Sequence, residues 1–103
     1  MNVTYKRPFA LYVKKAKKPL QLKIEDVVLG IQKDPTLGEA KVGDLKGIFV
    51  YKFKFNQQEY LVAYQFGKDQ KHLNILWIDF YKVGSHENFY DELKRYLKEV
   101  KQW

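Results

Sequence analysis

Three stretches rich in β-branched and aromatic residues follow one another in the middle of the chain, at about residues 48–55, 60–66 and 73–81. The first stretch ends by alternating lysine with aromatic residues, which is the two-residue period of a half-buried strand. The polar breaks between the stretches are short, as is typical of hairpin loops. The pattern therefore predicts three antiparallel strands in a meander.

Apolar residues recur at helical spacing on both sides of this predicted sheet. Arg7-Pro8 favours the start of a first helix, Pro19 interrupts or restarts it, and the second apolar stripe ends near Asp34-Pro35. The apolar positions of these two helices are Phe9, Tyr12, Val13, Ala16, Leu20, Ile24, Val27, Val28 and Ile31. After the sheet, Ser85 is predicted to cap a last helix. Its apolar face comprises Phe89, Leu93, Tyr96, Leu97 and Val100.

These elements predict one α+β domain over residues 1–103, with an N-terminal helical hairpin packed on a small antiparallel β-sheet and a C-terminal helix behind it. A chain of 103 residues is long enough for a single hydrophobic core. Residues 3–5 are predicted to form a short edge strand, and residues 36–46 a loop that brings Lys41 and Lys46 to the sheet.

Charge and composition narrow the class of partner. The formal net charge is +7 and the isoelectric point is near 9.5, which indicates a polyanion such as nucleic acid, or an acidic protein. The alternative is that the excess lysine serves only solubility. Because the chain has no cysteine, disulfides and thiolate catalysis are excluded. No signal peptide or membrane-spanning run is evident, so we expect a cytoplasmic protein with no membrane partner.

The lysines of the first strand are the first candidates for chemistry. Lys52 and Lys54 share one face of the strand, roughly 7 Å apart at ~3.4 Å per residue. Two ammonium groups so placed repel each other unless an anion lies across them or one loses its proton. The pair therefore indicates an anion-binding or proton-accepting site.

His86 is the second candidate, because it directly follows the predicted cap of the last helix, where phosphate binds favourably. Tyr90, one helical turn further on, is expected beside it. Two alternatives stay open: His86 is a surface residue that closes a turn, and Tyr90 belongs to the core. His72, in a hairpin loop, is expected to be an ordinary surface residue.

Other kinds of site fit the sequence poorly. There is no phosphate-cradling glycine loop and no cluster of histidines or carboxylates at metal-ligand spacing, so no metal and no cofactor is expected. Ser85 is the only serine, which argues against a serine triad.

Three segments, together with the order of elements, carry a family resemblance that runs over nearly the whole chain. They are residues 34–40 (DPTLGEA), 43–47 (GDLKG) and 84–90 (GSHENFY). With them the chain resembles the RelE/ParE superfamily of bacterial toxins from type II toxin-antitoxin modules. The resemblance implies a helical hairpin, an antiparallel sheet and a C-terminal helix.

In RelE-like members the resemblance implies a ribosome-dependent endoribonuclease that cuts messenger RNA in the ribosomal A site without a metal. Lys52 and Lys54 match the family's basic pair, one as proton acceptor and one as phosphate ligand. His86 matches the residue that protonates the leaving group, and Tyr90 lies near a C-terminal aromatic. Leu61 and Phe49 stand where the family has phosphate-binding arginines, and the residues expected to contact RNA in their place are Lys41, Lys46 and Arg95.

The resemblance also leaves alternatives open. ParE-like members inhibit DNA gyrase by binding, with the same fold and without the basic pair. A toxin-like domain that has lost its activity and survives as a binding module is a third possibility. Each predicts a cognate antitoxin, expected to be an acidic protein with a partly disordered segment that folds over the apolar, partly exposed C-terminal helix.

Overall fold

The computed structural model describes residues 1–71 and 73–100. His72, predicted to be an ordinary surface residue, lies outside the described residues. The helices and strands are β1 (Asn2–Tyr5), α1 (Arg7–Lys15), α2 (Lys18–Lys33), β2 (Glu39–Ala40), β3 (Phe49–Phe55), β4 (Gln58–Lys68), β5 (Ile75–Ser85) and α3 (Phe89–Val100). Short 3₁₀ turns at Pro35–Leu37 and Gly43–Leu45 flank β2.

The five strands form one sheet in the order β1-β5-β4-β3-β2. The three middle strands form the predicted antiparallel meander. At one edge β1, the predicted edge strand, pairs parallel with β5, so the sheet is mixed rather than wholly antiparallel. Most of the chain separates β1 from β5, so no hairpin turn imposes an antiparallel pairing on them. The predicted α+β architecture of hairpin, sheet and C-terminal helix is confirmed.

Both helices of the N-terminal hairpin, α1 and α2, begin at a proline-containing first turn. Pro8 and Pro19 each lie in the first turn, where an N–H would have no partner within the helix. The backbone is extended between the two helices, and the Gln21 side-chain amide of α2 donates a 2.6 Å hydrogen bond to the Val13 carbonyl oxygen of α1. Pro19 therefore restarts the helix rather than ending it.

Two hydrophobic cores lie on opposite faces of the sheet. The hairpin covers one face and α3 covers the other. Strand β4 serves both cores: Val62 and Tyr64 face the hairpin, while Leu61 and Ala63 face α3, and all four side chains are fully buried. The side chains that α3 buries against the sheet are Phe89, Leu93 and Leu97. The predicted apolar face of α3 is thus mostly buried against the sheet, while Val100 at its end is 41% exposed. Binding of an antitoxin to α3 stays a prediction.

The predicted role of Ser85 is also wrong. Strand β5 continues past the expected end near Tyr81 and terminates at Ser85, which pairs with Tyr60 of β4. Because β4 is long and Val83 is buried, the ladder continues where the sequence suggested a break. Asn88, with a positive φ of 58°, stands directly before α3, and its carbonyl oxygen accepts a hydrogen bond from the Glu92 amide.

Tyr64, in the centre of the sheet, forms hydrogen bonds with residues 35–38, the segment before β2. Its hydroxyl donates a 2.5 Å hydrogen bond to the Pro35 carbonyl oxygen and accepts one of 2.9 Å from the Gly38 amide. Burial raises the pKa of Tyr64 to about 12, against an ordinary value of 10.0. The neutral phenol therefore holds residues 35–38 in place across the physiological pH range.

Replacing Tyr64 by phenylalanine is expected to change how stability depends on alkaline pH. The folded pKa lies above the unfolded value, so the stabilisation from the neutral phenol is present below about pH 10 and is lost as the pH rises through about 12. The full loss amounts to about 2–3 kcal/mol. At neutral pH, Tyr64→Phe should lower the free energy of unfolding by about 1–3 kcal/mol, because two buried backbone groups lose their partner.

Urea unfolding of both proteins at several pH values between about 7 and 11 measures this difference. The gap in unfolding free energy between the parent and Tyr64→Phe should narrow above about pH 10. The two-protein comparison cancels the other tyrosines, since Tyr12, Tyr81 and Tyr96 also have raised pKa values through burial. A gap that stays constant over the whole range would contradict the assigned role.

Candidate functional site

A cleft of about 260 Å³ opens where β2 and β3 meet the segment that leads into α3. Its lining includes two lysines, one carboxylate, one imidazole and two tyrosines. The lining residues are Leu37, Glu39, Lys41, Val50, Tyr51, Lys52, His86 and Tyr90. Four of the residues predicted from the sequence, Lys41, Lys52, His86 and Tyr90, therefore meet in one place.

Strand alternation positions the basic pair. Phe53 is buried towards the hairpin, whereas Lys52 and Lys54 are exposed on the side that carries α3, as is expected for a strand with one buried face. Lys52 lies opposite the buried Leu61 and lines the cleft. Lys54 is the next residue on the same face of the strand and lies opposite Glu59. It does not line the cleft.

His86 lies in the turn between β5 and α3. Its amide donates a 3.3 Å hydrogen bond to the Glu59 carbonyl oxygen, and its own carbonyl oxygen accepts one of 3.3 Å from the Phe89 amide. The residue is exposed and precedes α3, so it is not in the first helical turn that the sequence predicted. The proximity to Tyr90 is confirmed: the two rings meet edge-on with centroids 6.2 Å apart.

Lys41 approaches the same tyrosine from the other side of the cleft. Its Nζ lies 5.2 Å from the centroid of the Tyr90 ring and forms an ion pair with the Glu39 carboxylate. The pKa of Lys41 is raised, first by the hydrogen bond to Glu39 and further by Tyr90. The ammonium group therefore stays charged at neutral pH, which suits an electrostatic contact with phosphate.

Glu39 is the charged residue of the cleft that sequence reasoning missed. Residues 36–46 were predicted as a loop, yet Glu39 and Ala40 form β2 and pair with Val50 and Phe49 of β3. The available signal was the alternation of Glu39 and Lys41 around a small residue, which is compatible with a short edge strand.

The other predicted RNA contacts do not join this cleft. Lys46 is exposed directly after the Gly43–Leu45 turn, outside the lining residues. Arg95 lines a separate cleft of about 600 Å³ between α1 and α3, near the 2.9 Å ion pair of Lys82 with Glu92. Leu61 is fully buried beneath α3, so that position offers no phosphate ligand.

The arrangement suits an anion better than a metal. Two ammonium groups and an imidazole surround one carboxylate, with an aromatic ring as a wall. Within residues 1–71 and 73–100 no group of three or more histidines and carboxylates is placed to hold a metal ion. Over the same residues, no helix is both long and apolar enough to span a membrane.

The fold has solved relatives. A chain of the intact E. coli RelBE toxin-antitoxin complex matches with a TM-score of 0.55 and 13% identity, covering 84% of this chain and 96% of that chain. The isolated E. coli RelE toxin matches with a TM-score of 0.53 and 14% identity, covering 92% of this chain and 97% of that chain. At such low identity the likeness shows a shared fold. No curated protein matches the sequence.

The fold is therefore that of the RelE structures, as the resemblance of the sequence implied. The sequence model of one family, described as the ParE-like toxin of the type II bacterial toxin-antitoxin system, matches residues 3–94. The chain belongs to this family of type II toxin-antitoxin toxins.

The position of β2, and with it Glu39 and Lys41, is expected to depend on the absence of a side chain at residue 38. A Cβ there would lie 2.5 Å from the Tyr64 hydroxyl oxygen. Gly38→Ala should therefore lower the free energy of unfolding by about 1–3 kcal/mol through overpacking. In a double-mutant cycle with Tyr64→Phe, urea unfolding should show costs that are less than additive, because the hydroxyl causes the clash.

Gly30→Ala is the matched control, because an added Cβ at this position in α2 meets nothing within 4 Å. Alanine is the better helix former, so this change should be neutral or stabilising. Fully additive costs of Gly38→Ala and Tyr64→Phe would show that the two positions do not interact in this way.

Proposed function

We propose that the protein is a toxin that acts as a metal-independent endoribonuclease on ribosome-bound messenger RNA. The observation that carries the proposal is the meeting of Lys41, Lys52, His86 and Tyr90 around one cleft. A phosphodiester requires cationic groups for its charge and an acid for its leaving oxygen, and this cleft holds both types of group.

The proposed reaction is attack of a ribose 2′-hydroxyl on the adjacent phosphate. Lys52 accepts the hydroxyl proton, the new O2′–P bond forms, and the P–O5′ bond breaks. The protonated imidazole of His86 gives its proton to the departing 5′-oxygen. The products are a 2′,3′-cyclic phosphate and a free 5′-hydroxyl group.

The remaining residues hold the phosphate and the base. Lys41, whose pKa is raised by Glu39, supplies a fixed positive charge, and Lys54 extends the basic surface along β3. The ring of Tyr90 lies near both His86 and Lys41 and is half-buried against Phe89, at a centroid distance of 5.6 Å. It is the aromatic surface on which a base of the RNA would stack.

Inhibition of DNA gyrase by binding is the second candidate. Arg7 and Arg95, the only arginines of the chain, both lie outside the lining of the cleft, so no guanidinium stabilises a transition state there. The family description also names ParE. These two observations favour a toxin that binds its target without cutting RNA, and a catalytically decayed binding module is the limiting case.

Primer extension on messenger RNA after induced expression tests the proposal. The parent should produce discrete cuts, and His86→Ala should reduce them by a factor of about 10²–10⁴, the usual contribution of a general acid or base. Lys52→Ala should have a comparable effect. Lys33→Ala, an exposed lysine at the end of α2, is the matched control and should cut as the parent does.

Two outcomes would contradict the nuclease proposal. One is a parent that stops growth and leaves messenger RNA intact, in which case inhibition of DNA supercoiling by purified gyrase identifies the second candidate. The other is cutting that persists in a Lys52→Ala and His86→Ala double variant. A parent that neither stops growth nor cuts RNA corresponds to the decayed module.

We also propose a cognate acidic antitoxin as partner, with a binding surface on the helical hairpin. A groove of about 480 Å³ runs between the two helices of the hairpin, beside the β1 edge. Phe9, Val13 and Leu22 contribute apolar surface to it, while Lys14 and Lys18 contribute positive charge. An amphipathic acidic segment complements such a groove in both respects.

Leu22→Asp should weaken antitoxin binding about tenfold or more, because it places a charge in the apolar groove. Leu29→Asp is the matched control: Leu29 belongs to the same helix and is 49% exposed against 50% for Leu22, but it does not line the groove. Isothermal titration of each variant with the acidic product of the neighbouring reading frame measures the effect. Equal losses in both variants would contradict the assigned surface.

A further inference from the structure

Glu39 is the carboxylate within the basic cleft, and no step of the proposed reaction uses it. Its partner across the β2–β3 ladder is Val50, which belongs to the core on the α3 side. Directly opposed residues project to the same face of a sheet, so Glu39 shares the face of Val50 and Lys52. The short strand β2 therefore directs this side chain into the anion site rather than away from it.

The surroundings of Glu39 are those that an RNA phosphate would need. Its carboxylate forms an ion pair with Lys41, whose side chain is only 23% exposed, whereas that of Glu39 is 74% exposed. The pKa of Glu39 is lowered, first by its hydrogen bond to Lys41 and in smaller part by the charge of Lys52. The group is therefore an anion at neutral pH, and it lines the same cleft as the two lysines.

We infer that Glu39 is an internal occupant of the anion site, which an RNA phosphate displaces from Lys41 when it binds. The inference rests on the proposed function, because it concerns the same cleft and the same class of ligand. In the free protein Glu39 holds the Lys41 ammonium against the Tyr90 ring and neutralises its charge. In the complex the exposed carboxylate turns outward, and the phosphate takes its place.

Because Glu39 is more exposed than Lys41, we expect Glu39 to move and Lys41 to stay when a phosphate binds. The Lys41 ammonium group lies over the Tyr90 ring and its side chain is only 23% exposed, so it keeps its position when its partner changes. Glu39 is exposed, and such ion pairs in water are weak, so the carboxylate leaves at small cost. Glu39 thus lowers the affinity of the cleft for anions and favours ligands that carry enough phosphate to compete with it.

Binding of an RNA oligonucleotide with 2′-O-methyl riboses tests this inference, because such a strand lacks the attacking hydroxyl and stays intact. Fluorescence anisotropy at fixed salt should show about two- to fivefold tighter binding for Glu39→Gln than for the parent, as is expected from the strength of exposed ion pairs. The dependence of log affinity on log salt should keep the slope of the parent, because Lys41 contacts phosphate in both complexes and the number of neutralised phosphates is the same.

Two further variants separate position from net charge. Glu87→Gln changes the net charge by the same amount at an exposed residue next to His86 that does not line the cleft, and it should change affinity less than Glu39→Gln does. In the double variant Glu39→Gln with Lys41→Gln, the gain in affinity should disappear, because the lysine that Glu39 occupies is gone.

Three results would overturn the inference. They are equal effects of Glu39→Gln and Glu87→Gln, a gain that persists without Lys41, and a loss of cutting in Glu39→Gln at unchanged affinity, which would make Glu39 a proton acceptor. Failure of the proposed function gives a different result: Lys41→Gln and Lys52→Gln would then bind the oligonucleotide as tightly as the parent does.

Discussion

The double burial of strand β4 is the constraint on which the rest of the structure depends. Residues 61–64 are fully buried, two side chains on each face, so neither face can be left to solvent. The helical hairpin covers one face and α3 covers the other. A chain of about 100 residues has little apolar surface to spare after such an arrangement. The residues of the cleft consequently lie on β2, on β3 and where β5 leads into α3, and none belongs to β4.

A β-bulge adapts β5 to these two cores. Ala63 pairs with Lys82 and Tyr64 with Phe80, so Tyr81 is an extra residue on β5. Tyr81 packs into the core beneath α3, and the next side chain, Lys82, pairs with Glu92 of that helix. Two consecutive side chains thereby serve the α3 face.

The cleft itself joins elements that are far apart in the sequence. Tyr64, in the centre of the sheet, holds the turn at residues 35–38, and this turn determines where β2 begins. Strand β2 then carries Glu39 and Lys41 to the side where Tyr90 and His86 stand. One buried phenol hydroxyl therefore links the stability of the core to the geometry of the site. The same coupling explains why a short strand of two residues keeps a defined position.

The sequence alone determined the three meander strands, the two proline-started helices and the apolar face of α3, because these follow from local periodicity and backbone chemistry. It also determined that Lys52 and Lys54 share a face. Tertiary structure decided the remainder. The parallel pairing of β1, the strand at Glu39–Ala40 and the extension of β5 to Ser85 depend on partners distant in the chain. For the same reason, only packing brings Glu39 and Lys41 to Tyr90 and leaves Arg95 in another cleft. The local sequence pattern determines on which face of its element a side chain lies. Which side chains of different elements come close together is decided only when the helices pack on the sheet.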